Sequence, residues 1–303
     1  MLTRAARTTD DAGPDLAETS PLAGLVHEPI VRPTDLVDVG IVIVTHESAS
    51  DIGECLESLR GVHARTQVVV VDNASSDGSA HLVRSRHPEV TLLRKRRRGG
   101  FATNCNIGVA ATNARHVLLL NPDTAARPGA IDTLVAYLDA NPTVGIAAPR
   151  LTYRDGSPQP SARRFPSVAT ALVRRTPLRS VMRGSGLERR YLQLDNLDGH
   201  TCDIDWALGA VLAVRGEAWT DLGGLDDGYR LYCEDADLCW RAHMAGWAVR
   251  YVPDAVVAHD LGEHTRKHFF TIRTAWHLRS LVRFARKNGL RPPTGSPSAE
   301  GSH

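Results

Sequence analysis

Residues 39–73 read VGIVIVTHESASDIGECLESLRGVHARTQVVVVDN. Two short runs rich in Val and Ile, 39–44 and 67–71, are bounded by polar residues, and an amphipathic segment, 52–59, lies between them. Runs of this length and composition read as buried strands and the segment between them as a helix. The alternation continues outward with a helix over 79–86, a strand over 90–93, a helix over 103–111 and a strand over 117–120. Strands separated by helices predict an α/β fold with a mostly parallel, Rossmann-like sheet flanked by helices. Such sheets bind ligands beyond the carboxyl ends of their strands, which is where Thr45, Asp72 and Asp123 fall.

The 303 residues suffice for one large α/β domain or two merged halves with a sizeable core. A formal charge of +2 does not demand nucleic acid as a partner, although Arg94, Lys95, Arg96, Arg97 and Arg98 form a basic block suited to attracting phosphates. Five cysteines without a Cys-x-x-Cys pair fit neither a disulfide framework nor a common zinc site, and point to reduced thiols and a cytoplasmic protein. No apolar stretch approaches the ~20 residues needed to span a bilayer. Composition predicts a flexible arm over 1–36 and a flexible tail over 291–303, each rich in Pro and small or polar residues.

Two acidic signals carry chemistry. Asn121, Pro122 and Asp123 end an apolar run, and a lone carboxylate at such a strand end suits a divalent cation held against phosphates. Far downstream, Glu234, Asp235 and Asp237 cluster at a helix start, where Asp235 suits a base acting on an incoming hydroxyl. A nicotinamide oxidoreductase would share the strand and helix alternation, but residues 45–50, THESAS, hold none of the glycines that bring a helix end up to a pyrophosphate. No Walker-type glycine loop occurs either.

The segments VIVTHES, VVVVDNASSDGS, GGFATNCNIGV, LLLNPDT, WALGAVLAVRGEAW and GGLDDGYRLYCEDADLCWRAHMAGWAVRYVPDAVVAHDLG follow in that order. Together they resemble a family 2 glycosyltransferase, and within it the bacterial rhamnosyltransferase-like branch that extends lipid-linked cell-wall and O-antigen intermediates. The resemblance spans about residues 37–286. It implies a GT-A fold over 37–260, with a nucleotide half at about 37–125 and an acceptor half at about 126–260, followed by a lid and amphipathic helix over 261–290. It also implies an inverting displacement from a nucleotide diphosphate sugar, dTDP-rhamnose first, with UDP-galactofuranose or a UDP-hexose as the alternative donor. A non-catalytic nucleotide-sugar-binding module is the alternative in another class.

Carried onto this sequence, the resemblance places Thr45, Glu47, Asp72, Asn73 and Asp77 around the base, with Asp72 accepting a hydrogen bond from the pyrimidine. Gly100, Phe101, Asn106, Asn121, Trp206 and Gly209 complete the nucleotide-sugar site. Asp123 and His259 would hold Mg2+ or Mn2+, with Asn121 replacing the first acid of the usual Asp-x-Asp. Asp235 would be the base and Glu234 its orienting or acceptor-binding neighbour. His46, Glu47, Arg98 and Cys105 depart from the branch pattern and leave donor identity open, and His264 departs from it in the segment after Gly262, where the lid would contact substrate differently.

Residues 269–287 interleave apolar side chains with Arg and Lys, and Leu278, Leu281, Val282 and Ala285 are expected on one helical face, with Gly289 as the stop. That face is expected to pack on the catalytic domain, with peripheral contact to an anionic membrane as the alternative. A glycan or polyprenyl-linked acceptor is the expected second partner.

Overall fold

The structure, a computed structural model, describes residues 35–165, 185–193, 199–260, 272–289, 292–293 and 296. Residues 1–34 of the expected arm, residues 261–271 of the expected lid and helix, His264 among them, and nearly all of the tail lie outside the described residues.

The strands are β1 Val37–Thr45, β2 Thr66–Asp72, β3 Thr91–Arg94, β4 Ala114–Leu120, β5 Thr124–Ala126, β6 Val144–Thr152, β7 Pro158–Gln159, β8 Ala162–Arg163, β9 Cys202–Asp203, β10 Trp206–Ala207, β11 Val211–Arg215 and β12 Ala248–His259. The helices are α1 Ile52–Ser58, α2 Ser79–Arg86, α3 Phe101–Ala110, α4 Ala130–Ala140, α5 Gly186–Tyr191, α6 Gly216–Leu222, α7 Glu234–Met244 and α8 Ile272–Asn288. The main sheet runs β3-β2-β1-β4-β11-β6-β12-β5. Its first four strands are all parallel, as the alternation predicts. β11 then enters antiparallel to both β4 and β6, while β6 and β12 pair in parallel.

Both faces of the sheet are covered. Ile41, Ile43, Val70, Leu118 and Leu120 point into one apolar layer with α1 and α4. Val42, Val69, Val71 and Leu119 point into the other with α3 and α7. The period-2 alternation of a strand sends neighbours to opposite faces, so two covered faces demand the unbroken Val and Ile runs seen in the sequence. Gly108 lets α3 press on the sheet, because a Cβ there would lie 2.3 Å from Val42 Cγ1.

In α7, Leu238 and Ala242 are buried, whereas Ala245 caps the helix and is exposed. One expectation about the helices needs correction. In α8 the face expected to pack does so only in part: Leu281 and Ala285 are half-buried, whereas Leu278 is 55% and Val282 44% exposed. The helix is docked by Phe284, whose ring stands 5.5 Å from that of Trp240 and 6.4 Å from that of Phe165, and by Ser280, whose hydroxyl donates to the Leu231 carbonyl at 2.9 Å. An aromatic slot on α7 thus selects one large side chain over the aliphatic stripe.

Candidate active site

Register brings the first group together. Thr45 and Asp72, the last residues of β1 and β2, are paired neighbours and completely buried. Asp72 Oδ1 accepts from the Ser75 amide at 3.3 Å, whereas Asp72 Oδ2 and Thr45 Oγ1 have no hydrogen-bond partner. Arg94, from the basic block, approaches that free oxygen to 3.6 Å. Buried polar atoms are rarely left unpaired, so a hydroxyl with no hydrogen bond beside a carboxylate oxygen held only by a long ion pair is suited to a polar ligand at these strand ends.

The loops after β1 and β2 are stitched to each other by the other expected residues. Glu47, at φ 54°, accepts from the Ser76 amide at 2.7 Å, and Asp77 accepts from the Ala49 amide at 2.8 Å. Asn73 exchanges two amide bonds with Gly99, at 2.8 and 3.2 Å. Gly100 and Phe101 open α3 against the segment before α7, with the Phe101 amide donating to the Arg230 carbonyl at 2.9 Å. A Cβ on Gly100 would lie 3.3 Å from the Arg230 Cα. The Asn106 side chain braces the Leu225 to Asp227 turn through three bonds of 2.8 to 2.9 Å.

The metal candidates meet where β5 pairs with the end of β12. His259 Nε2 lies 3.6 Å from Asp123 Oδ1, and that oxygen is buried without a hydrogen bond. His259 Nδ1 is 2.7 Å from Gln159 Oε1, an oxygen that only accepts, which assigns the proton to Nδ1 and leaves the Nε2 lone pair facing Asp123. Burial lowers the His259 pKa to about 4 and, as the leading cause, raises that of Asp123 to about 6. A neutral imidazole and an unpartnered carboxylate oxygen, too far apart to bond each other, are a donor set that fits one divalent ion. No group of three His, Cys, Asp or Glu ligands occurs among the described residues, so further positions would fall to ligand or water. Gln159 was not legible as a site residue, because an isolated Gln in an irregular segment carries no pattern.

Glu234 and Asp235 begin α7, behind two successive residues with left-handed backbone, Tyr232 at φ 71° and Cys233 at φ 69°. Such conformations are costly for non-glycine residues and collect at functional sites. Asp235 is half-buried, and its carboxylate accepts from the Gly209 amide at 2.9 Å and the Ala236 amide at 2.8 Å. Gly209 fits closely, since a Cβ there would lie 3.1 Å from Asp235 Cβ. Trp206, at the start of the same segment, donates its indole N–H to the Arg164 carbonyl at 3.0 Å. Glu234 is 6% exposed and its Oε2 has no partner. Asp237, third of the acids, is an anchor: it is fully buried and bonded by Arg241, Tyr229, Lys287 and Asn288.

Burial raises the pKa of both Glu234 and Asp235, and the Asp235 charge adds to the shift of Glu234, which reaches about 8. Two backbone N–H groups favour the ionised form of Asp235 and none serves Glu234 Oε2, so a proton held by the pair resides on Glu234. The folded protein therefore keeps a proton on Glu234 that the unfolded chain releases near 4.5, and this group's contribution to stability falls as pH rises from about 4.5 to 8. Glu234→Gln should remove that loss, so its melting temperature relative to the parent climbs between pH 5 and pH 8. A pH-independent difference in circular-dichroism melts would refute the assignment.

The two acidic sites share one edge of the sheet. Asn121, two residues before Asp123, donates its amide to the Ala210 carbonyl at 2.8 Å, and the adjacent Gly209 amide holds Asp235. The antiparallel pairing of β11 with β4 makes this link, setting the start of β11 beside the end of β4.

Residues 40–200 match the family described as glycosyl transferase family 2. An N-acetylglucosaminyl-diphospho-decaprenol L-rhamnosyltransferase of Mycobacterium tuberculosis is 31% identical over 261 residues, covering 82% of this chain and 84% of the relative. Rhamnosyltransferase WbbL of Escherichia coli K12 is 29% identical over 265 residues, covering 83% and 94%. Among solved structures, GalNAc-T7 with UDP, GalNAc and Mn2+ superposes with TM-score 0.61 at 18% identity, over 83% of this chain and 48% of that one. The mannosyltransferase PcManGT of Pyrobaculum calidifontis, with GDP-Man and Mn2+, gives 0.58 at 22% identity, over 89% and 70%. These likenesses establish the GT-A fold, and with the matched residues they make the chain a glycosyltransferase that belongs to family 2 and resembles its rhamnosyltransferases.

Proposed function

We propose that the protein is a metal-dependent inverting enzyme that transfers L-rhamnose from dTDP-rhamnose to a hydroxyl of a lipid-linked glycan. The observation that carries the reading is Asp123 Oδ1, buried without a hydrogen bond 3.6 Å from His259 Nε2 and linked through the β4 and β11 ends to an Asp235 held by two amides. Asp72 Oδ2 accepts the ring N–H of a pyrimidine, and Thr45 lines the base. Asp123 and His259 hold Mg2+ or Mn2+, which when bound neutralises charge on the departing nucleotide diphosphate. Asp235 takes the proton of the acceptor hydroxyl, and Glu234 orients the acceptor. One base and no covalent enzyme intermediate are what a single inverting displacement needs. The two rhamnosyltransferases among the relatives support the sugar, and the diphospho-decaprenol acceptor named for one of them supports a lipid-linked acceptor.

No helix among the described residues is long and apolar enough to cross a membrane. Access to a lipid-linked acceptor would then come through peripheral contact, with the exposed Leu278 and Val282 of α8 toward the bilayer.

Incubation with dTDP-rhamnose, UDP-galactofuranose, UDP-galactose and GDP-mannose, each with Mn2+ or Mg2+ and a polyprenyl-diphosphate N-acetylglucosamine acceptor, tests the assignment. Product should form from dTDP-rhamnose first and stop on chelation. Turnover of a UDP sugar alone would move the donor assignment. Donor protection against thermal unfolding with no product from any donor would favour a binding module.

A further inference from the structure

A cavity of about 780 Å³ opens between α8 and the segment before α7. Its wall carries Arg230, Arg279, Arg283, Arg286 and Lys287 against a single acid, Asp227. Arg283 and Lys287 are already neutralised by Asp226, at 2.8 and 2.6 Å, and Lys287 also by Asp237. Arg279 and Arg286 have no carboxylate partner among the described residues, and Arg230 stacks its guanidinium 4.5 Å from the centre of the Trp276 ring. Asp227 is engaged by Asn106 at 2.8 Å. Three cations face one concave space against one carboxylate, whose charge the neutral Asn106 amide leaves in place, and the excess of positive charge suits an anion of about two charges.

The surroundings narrow the anion. Val282 lines the cavity and is 44% exposed, and Leu278, one turn earlier, is 55% exposed. Helix α8 carries no Asp or Glu over its 17 residues. An apolar strip beside a cationic hollow suits an amphiphile with an anionic head better than a free ion. The hollow is walled by Gly100 and by Arg230, whose carbonyl accepts from the Phe101 amide at 2.9 Å and which stands four residues before Glu234 in the chain.

We propose that this cavity binds the diphosphate of the acceptor, with Arg230, Arg279 and Arg286 as its ligands and the hydrocarbon leaving along Leu278 and Val282. The proposal rests on the lipid-linked acceptor reading given above. It separates the two diphosphates of the reaction: the donor's lies by Asp123 and His259, the acceptor's under α8.

Calorimetric titration of the full chain with farnesyl diphosphate, inorganic pyrophosphate and farnesol, in EDTA, tests it without turnover. Farnesyl diphosphate should bind, pyrophosphate more weakly, and farnesol not at all. Combined Arg279→Glu and Arg286→Glu should weaken farnesyl diphosphate at least about ten-fold, with an unchanged melting temperature and normal binding of dTDP with Mn2+ as folding controls. Undiminished affinity in that variant, or displacement of farnesyl diphosphate by dTDP, would overturn the site. Equal binding of pyrophosphate would overturn the amphiphile and leave a free anion as the occupant. Failure of every sugar in the donor panel would strike the transfer reading and not this measurement.

Discussion

Asp235→Asn should lower the transfer rate by roughly 10²–10⁴-fold, the range expected when a positioned base is removed, while leaving donor affinity unchanged, if Asp235 is the base proposed above. The amide keeps the shape of the carboxylate and can still accept one hydrogen bond, yet it cannot take the acceptor proton. Two backbone amides, from Gly209 and Ala236, now share the carboxylate oxygens, so the Asn variant must leave one of them facing an NH2 group. A lost partner of that kind costs about 1–3 kcal/mol of stability, which a melt would register without loss of the fold. Initial rates at saturating donor, with donor affinity from calorimetry, separate the two effects. Turnover within about ten-fold of the parent would show that some other group is the base.

Asp123→Ala should lower kcat/KM by about 10²-fold or more, because on the proposed reading it withdraws a ligand from a site where a bound cation would supply several kcal/mol of charge stabilisation. Its mark is a loss of metal response: EDTA should weaken donor binding in the parent and change little in the variant. Gln159→Leu probes the same site at one remove. The Gln159 oxygen fixes the His259 tautomer, so its loss should weaken metal affinity by about 10–100-fold while Asp123 and His259 remain in place. Chelator titrations of donor binding read all three proteins. A variant lacking Asp123 that keeps the parent's chelator sensitivity would remove that residue from the metal site.

The parallel half of the fold was legible because each strand there is buried on both faces and so appears as an unbroken Val or Ile run. The reversal at β11 was not, since VLAVR looks the same whichever way its neighbours run. Yet that reversal joins the two acidic sites, by bringing Gly209 and Ala210 to the end of β4. The acids themselves stood out by type and spacing. What surrounds them did not: Gln159 acts through one tertiary contact, and Asn106, expected in the nucleotide-sugar site, braces the Leu225 to Asp227 turn. The exposure of Leu278 and Val282 on α8 escaped periodicity for a related reason. A hydrophobic stripe shows that a helix has two sides, but which side docks was decided by a slot beside Trp240 that belongs to another part of the chain.

Asp237 gives the C-terminal helix a bearing on where this enzyme can be cut. Lys287 and Asn288 supply two of the groups that compensate this buried carboxylate, and Arg241 another. A chain shortened after β12 would keep every proposed reacting group and still strand a half-compensated anion inside α7, at a cost of about 3–5 kcal/mol if the loss resembles breaking a buried pair. A chain ending before Lys287 should therefore melt at a lower temperature than one that reaches Asn288.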